Sequence, residues 1–100
     1  MLTAEYSPTG AELIGLTENA TGIPYIWGGD PKFWSRRAPV LFPIVGKLKN
    51  GSMLLYGKKY KMNQHGFIRD MAFIVRHHDE STISWECISN EETKTKFPFD

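Results

Sequence analysis

An all-β, antiparallel fold is predicted for this 100-residue chain by three features. The stretch STISWECIS alternates, with Ile83, Trp85 and Cys87 on one face and Thr82, Ser84 and Glu86 on the other, as a half-buried antiparallel strand requires. The stretch SMLLYGKKYKM reads as a tight hairpin turning near Gly57. Short apolar runs elsewhere are punctuated by scattered Gly, Pro, Asn and Asp, with no repeat, low-complexity tract or linker between them.

In chain order, AELIGLT (residues 11–17) lies between breakers at Ser7 to Gly10 and Asn19 to Gly22 and reads as a short strand, with IPYIW (23–27) as the second arm of its hairpin. DPKFWS (30–35) places Asp30 before Pro31, an N-cap followed by a first-turn proline, which predicts a single helical turn. APVLFPIVG is too apolar to face water and too rich in proline for a central strand, so it reads as a buried extended segment. In the 52–62 hairpin Leu55 and Tyr60 point inward; MAFIVRHH then pairs with STISWECIS across a turn at His78 to Ser81. TKTKFPFD reads as a further strand in progress, whose open edge would need covering.

A chain of this length makes at most one domain, and its 41% hydrophobic and 13% aromatic content predicts a folded core. No apolar run is long enough to cross a bilayer, and MLTAEYSPTG lacks the basic start and apolar middle of a signal peptide, so the expected location is the cytoplasm. The single Cys87 excludes an internal disulfide and reads as a small buried hydrophobe rather than a nucleophile. Adjacent His77 and His78 point to opposite faces of a strand and cannot share a metal ion; no metal site and no cofactor are expected.

Net charge is only +1, which gives no global pull toward nucleic acid or an anionic membrane, and neither is an expected partner. The distribution is uneven, however. Between Pro31 and Arg69 lie nine cations (Lys32, Arg36, Arg37, Lys47, Lys49, Lys58, Lys59, Lys61, Arg69) and no acid, which predicts a basic surface if those charges converge.

Residues 63–70, NQHGFIRD, pose the functional question. Asn, Gly and Asp would suffice for a turn between two apolar strands, so His65 and Arg69 need another reason to be there. Gly66 permits a close backbone approach by a ligand or a neighbouring segment.

The run WSRRAPVLFPIVGKLKNGSMLLYGKKYKMNQHGFIRD resembles the aldose 1-epimerases, or galactose mutarotases, in the bacterial branch with the Arg-Arg-Ala-Pro-Val-Leu-Phe-Pro and Gln-His-Gly-Phe patterns, and the similarity extends from about Gly10 through Phe99. The resemblance implies an antiparallel β-sandwich of large sheets, of which residues 1–100 would be the N-terminal part. It also implies a reaction: a carboxylate removes the proton of an aldose's anomeric hydroxyl while a histidine protonates the ring oxygen, and the opened sugar closes on either face.

On this resemblance His65 matches a sugar-binding histidine, and Arg69, in His-Gly-Phe-x-Arg, matches a sugar or phosphate contact shared with the hexose-6-phosphate epimerases. Lys47 stands where an arginine is usual, keeping the charge but losing the planar two-pronged donor. Arg37 and Arg36 are further candidates, with a structural ion pair as the competing role. The catalytic histidine and glutamate would lie outside this chain, leaving no catalytic residue within it. The expected ligand is a free hexose or a sugar phosphate, and the expected self-association is a homodimer through exposed sheet edges. The competing reading is a non-catalytic carbohydrate-binding module that keeps the sugar contacts alone.

Overall fold

The structure, a computed structural model, describes residues 1–100. Strand β1 (Leu2–Ser7) pairs antiparallel with β2 (Glu12–Glu18), with a register shift between Glu5 and Tyr6. β2 therefore pairs backward along the chain, not forward onto residues 23–27 as its flanking breakers predict. Those residues contribute only a bridge of Pro24 to Thr17 and a Tyr25 N–H bond to the Leu16 carbonyl of 2.8 Å. The reason is steric: Pro24 has no N–H to extend a ladder.

The helical turn after Asp30 is present. The Asp30 carbonyl accepts from Phe33 and Trp34, and its carboxylate accepts from the Lys32 N–H at 2.9 Å. Residues 38–46 are extended and irregular, and contrary to expectation they are not buried; Val40, Phe42 and Val45 are all exposed. Apolar composition specifies what must be covered, and the rest of residues 1–100 covers this segment only in part: Leu41, Pro43 and Ile44 are half-buried and Phe97 packs edge-on against Phe42.

Strands β3 (Ser52–Leu55) and β4 (Lys58–Lys61) form the predicted tight hairpin. Tyr56 and Gly57 both have positive φ, 48° and 78°, the two-residue turn whose twist matches that of the flanking strands. Met53 lies opposite Tyr60, so Met53, Leu55 and Tyr60 share a face, and Tyr60 is buried while Leu55 is half-buried. Strands β5 (Ile74–His78) and β6 (Ile83–Glu86) make the third hairpin, with a bulge at Arg76. Its turn is one residue later than predicted, because His78 stays paired with Ile83. The Asp79 carboxylate caps the turn by accepting from the N–H groups of Ser81 and Thr82. Cys87, expected buried, is half-buried, and desolvation raises its thiol pKa.

The last segment is corrected outright. TKTKFPFD is no strand; helix α1 spans Glu91–Lys96 and ends at Phe97. Asn90 accepts from the Thr93 N–H at 2.9 Å, and the Thr93 hydroxyl accepts from the Asn90 N–H at 2.8 Å, a reciprocal cap. Glu91 and Glu92 in the first turn and Lys94 and Lys96 in the last complement the helix dipole.

The three hairpins are separate two-stranded sheets. Only five of the 100 residues are buried, and Tyr60 and Met62 are the apolar ones, so the predicted core is nearly absent. The radius of gyration is 16.5 Å, against about 13 Å for a compact domain of this length, and the molecule measures 56 × 33 × 15 Å. A body 15 Å thick has room for little more than one layer of sheet with its side chains.

Candidate functional site

His65 is held by both its backbone and its ring. Its N–H donates to the Gly46 carbonyl at 2.8 Å, and its Nδ1 accepts from the Gly46 N–H at 2.8 Å. Because Nδ1 is an acceptor, the neutral ring carries its proton on Nε2, which is therefore a donor. Gln64 Nε2 lies 3.2 Å from that atom. Two N–H donors cannot bond each other, so the position calls for an oxygen: the Gln64 amide oxygen after a half-turn of the side chain, or a hydroxyl of a ligand.

The loop geometry that presents this ring depends on Gly66. His65 and Gly66 have φ of 65° and 72°, and a Cβ on Gly66 would run into the Phe42 carbonyl, which accepts from the Phe67 N–H at 3.0 Å. The close approach expected at Gly66 is thus made by the chain's own Phe42 segment. Gly10 plays a matching part behind Arg69: its φ is 70°, and a Cβ there would stand 2.5 Å from the Arg69 carbonyl oxygen. The β1–β2 turn can press against the 3-10 turn Ile68–Asp70 only because Gly10 lacks a side chain.

Arg69 donates from a terminal nitrogen to the Gln64 carbonyl at 3.3 Å, while its Nε is buried without a partner. A guanidinium with five donors and one protein acceptor retains capacity for a ligand. Lys47 follows Gly46, the residue that clasps His65. One contiguous set of contacts thus runs from Gly46 through His65 and Gln64 to Arg69, with Lys47 next to Gly46 in the chain.

Lys47 and Arg69 also line one open cavity of about 700 Å³, together with Lys61, Gln64, Thr95 and Lys96, and no Asp or Glu lines it. His65 borders this space through its neighbours Gln64 and Gly66 and does not itself line it. Lys61 comes from β4 and Lys96 from α1, whose ammonium also meets Glu92 at 2.7 Å and sits 5.7 Å from the Phe67 ring. A second hollow of about 570 Å³ shares Gly66, Phe67 and Arg69 with the first and reaches Cys87 and Ile88.

Arg37 lies elsewhere. It donates to the Gly28 carbonyl at 2.7 Å, its backbone is held by Glu12, and it lines neither cavity. Arg36 is ion-paired with Asp70 at 2.6 Å, the structural role weighed for it. His77 meets Asp79 at 2.9 Å on the exposed tip of β5–β6. Lys96, Thr95 and Gln64 escaped the sequence analysis. For the first two the overlooked signal is the Asn-Glu-Glu-Thr cap that starts α1; for Gln64 nothing but its place beside His65 marks it.

The family model described as Aldose 1-epimerase matches residues 1–100. In sequence, the chain is 29% identical over 97 residues to the plasmid-encoded protein LacX of Lactococcus lactis subsp. lactis, covering 91% of this chain and 32% of that protein. In structure it superposes on a galactose mutarotase-like protein from Lactobacillus casei ATCC 334 with a TM-score of 0.94 and 42% identity, covering 98% of this chain and 33% of the other. A galactose mutarotase related enzyme from Lactobacillus acidophilus gives a TM-score of 0.95 and 40% identity, at 99% and 33% coverage. The chain spans about a third of the length of each relative.

Proposed function

We propose, because the chain belongs to the aldose 1-epimerase family over its whole length, that it supplies the sugar-binding wall of an enzyme interconverting the α and β anomers of a hexose. The structural match is to mutarotase-like proteins, and the regular structure of the chain is mostly strand with one short helix. Residues 1–100 are then part of one larger β-sandwich domain, and the acid and base that work on the anomeric hydroxyl and ring oxygen come from the rest of it.

The observation that carries this reading is the run of contacts from Gly46 through His65 to Arg69, with Lys47 and Arg69 lining one cavity. His65 Nε2–H donates to a sugar hydroxyl, held in direction by the Gly46 N–H on its other nitrogen. Arg69 and Lys47 add charged donors to neighbouring hydroxyls, and together they fix the pyranose against the loop. No residue of this wall moves a proton on the reacting atoms, so residues 1–100 alone leave spontaneous anomer exchange unchanged.

Polarimetry of freshly dissolved α-galactose or α-glucose tests it, using a chimaera in which residues 1–100 replace the matched third of the Lactobacillus casei relative. The chimaera accelerates the optical change, and His65→Ala lowers its kcat/KM by about a hundredfold, the scale of losing a charged or buried hydrogen bond. Equal rates with and without His65 would remove the reading.

A second reading concerns substrate class and is favoured by the cavity wall, where four cations meet no lining acid. A phosphorylated hexose gains more from convergent Lys and Arg donors than a neutral sugar does. At low salt, glucose-6-phosphate then binds about tenfold more tightly than glucose, with the advantage shrinking as salt rises. Equal affinities return the substrate to a free hexose.

A further inference from the structure

We infer that Arg36 is a positioning residue: through its ion pair with Asp70 it aims Arg69 at the cavity that Arg69 shares with Lys47, Lys61 and Lys96. Arg69 holds its own place poorly. Its side-chain hydrogen bond to the Gln64 carbonyl is long, at 3.3 Å, and its Nε has no partner. A flexible side chain tied so lightly points where the backbone beneath it sends it.

That backbone is the 3-10 turn Ile68–Asp70, closed by bonds of 3.1 Å from the Asp70 N–H to the Phe67 carbonyl and from the Met71 N–H to the Ile68 carbonyl. A turn of this length is too short to hold itself and takes its place from what grips it. Two distant parts of the chain do so. Behind Arg69 the Gly10 N–H donates to the Met71 carbonyl at 2.7 Å. At the end of the turn, Arg36 Nη2 donates to the Asp70 carboxylate at 2.6 Å, across 34 residues of sequence. Asp70 meets no other cation, and the Arg36 side chain meets no other acceptor.

The exposure of the pair separates placement from stability. The side chains of Arg36 and Asp70 are 31% and 62% exposed, and an ion pair this open to water adds little to the free energy of folding. Its location counts for more: Asp70 adjoins Arg69 in the chain, and a binding group displaced by about 1 Å loses much of its effect. The pair also explains the spacing of the two sequence patterns. The segment 36–43 is tied to the loop 63–70 at both ends, by Arg36 to Asp70 and by the Phe42 carbonyl to the Phe67 N–H at 3.0 Å, so that the first pattern frames the loop that presents His65 and Arg69.

The role assigned to Arg36 rests on Arg69 being a sugar contact, and two readouts keep the two apart. In the chimaera with the Lactobacillus casei relative, Arg36→Gln and Asp70→Asn each raise the KM for α-glucose about tenfold with kcat unchanged, the mark of lost binding geometry rather than lost chemistry. Each moves the unfolding midpoint by about 2 °C or less. Arg36→Lys keeps the single-nitrogen contact and stays near the parent, and Lys94→Ala, which breaks an ion pair of the same 2.6 Å length with Asp100, leaves KM unchanged. With glucose-6-phosphate at low salt the two substitutions remove opposite charges, so a bare field effect would tighten binding in Asp70→Asn and weaken it in Arg36→Gln. Weaker binding in both supports the inference; opposite signs overturn it. Hydrogen exchange at the Asp70 and Met71 amides reads the turn without any sugar: exchange about tenfold faster in both variants supports the inference, and unchanged exchange overturns it. Faster exchange with unaltered KM leaves Arg36 its hold on the turn and removes Arg69 from the sugar contacts instead.

Discussion

The β3–β4 and β5–β6 hairpins are close to the same object locally, yet only one of them holds a buried side chain. Each has two short antiparallel strands and a tight turn. Tyr60 of β4 is 7% exposed and Met62, just after it, 5%, where α1 packs against β4. Every residue of β5 is exposed. Turn chemistry and alternation are enough to make a hairpin, but what it buries is decided by what arrives from elsewhere in the chain.

The sharpest way to break the contrast is at the junction that serves the buried side. Gly66→Ala forces a left-handed residue to carry a Cβ into the Phe42 carbonyl, and a loss of about 3 kcal/mol is expected in denaturant unfolding of the assembled protein. Sugar binding, read by calorimetry, falls with it because His65 loses its placement. Tyr60→Ala comes next, costing about 3 kcal/mol if its site cannot collapse and less if it can. Val75→Ala in residues 1–100 alone should cost about 0.5 kcal/mol or less. A Val75 effect equal to that of Tyr60 would erase the distinction between the two hairpins.

Smaller effects sharpen it. Asn90→Ala removes the helix cap and should cost about 1 kcal/mol, with amide protection lost first at Thr93 and Lys94. The smallest change is at the β5–β6 tip. The hydrogen bond from His77, then the N–H groups of Ser81 and Thr82, hold the Asp79 carboxyl below its ordinary value of 3.8. The ordering it provides is complete above that value and is lost as pH falls through the lower, folded one. The Ser81 and Thr82 amides should therefore show acid-dependent chemical shifts that Asp79→Asn abolishes.

Local signals were legible and long-range ones were not. Tyr56-Gly57 announces its turn, STISWECIS its alternation and Asp30-Pro31 its helical turn, all within a few residues. β1 was hidden because nothing in LTAEYS says that β2 will pair backward. α1 was hidden because the aromatic FPF tail has the composition of an extended segment, while the decisive signal was the Asn90–Thr93 cap. In the site, Lys47, His65 and Arg69 carried their own chemical oddity. Lys96 is 27 residues beyond Arg69 and reaches the same cavity only through the fold.

A slab 15 Å thick has consequences for how its mutations should be read. With almost no interior, residues 1–100 on their own would tolerate replacement of Val45, Leu54 or Ile88 with little penalty, and a tolerance map made on them would look like that of a linker. Within a protein of the relatives' length, the same three positions would be expected to rank among the intolerant ones. The gap between those two maps, position by position, would trace the footprint of whatever lies against the slab without any need to see it.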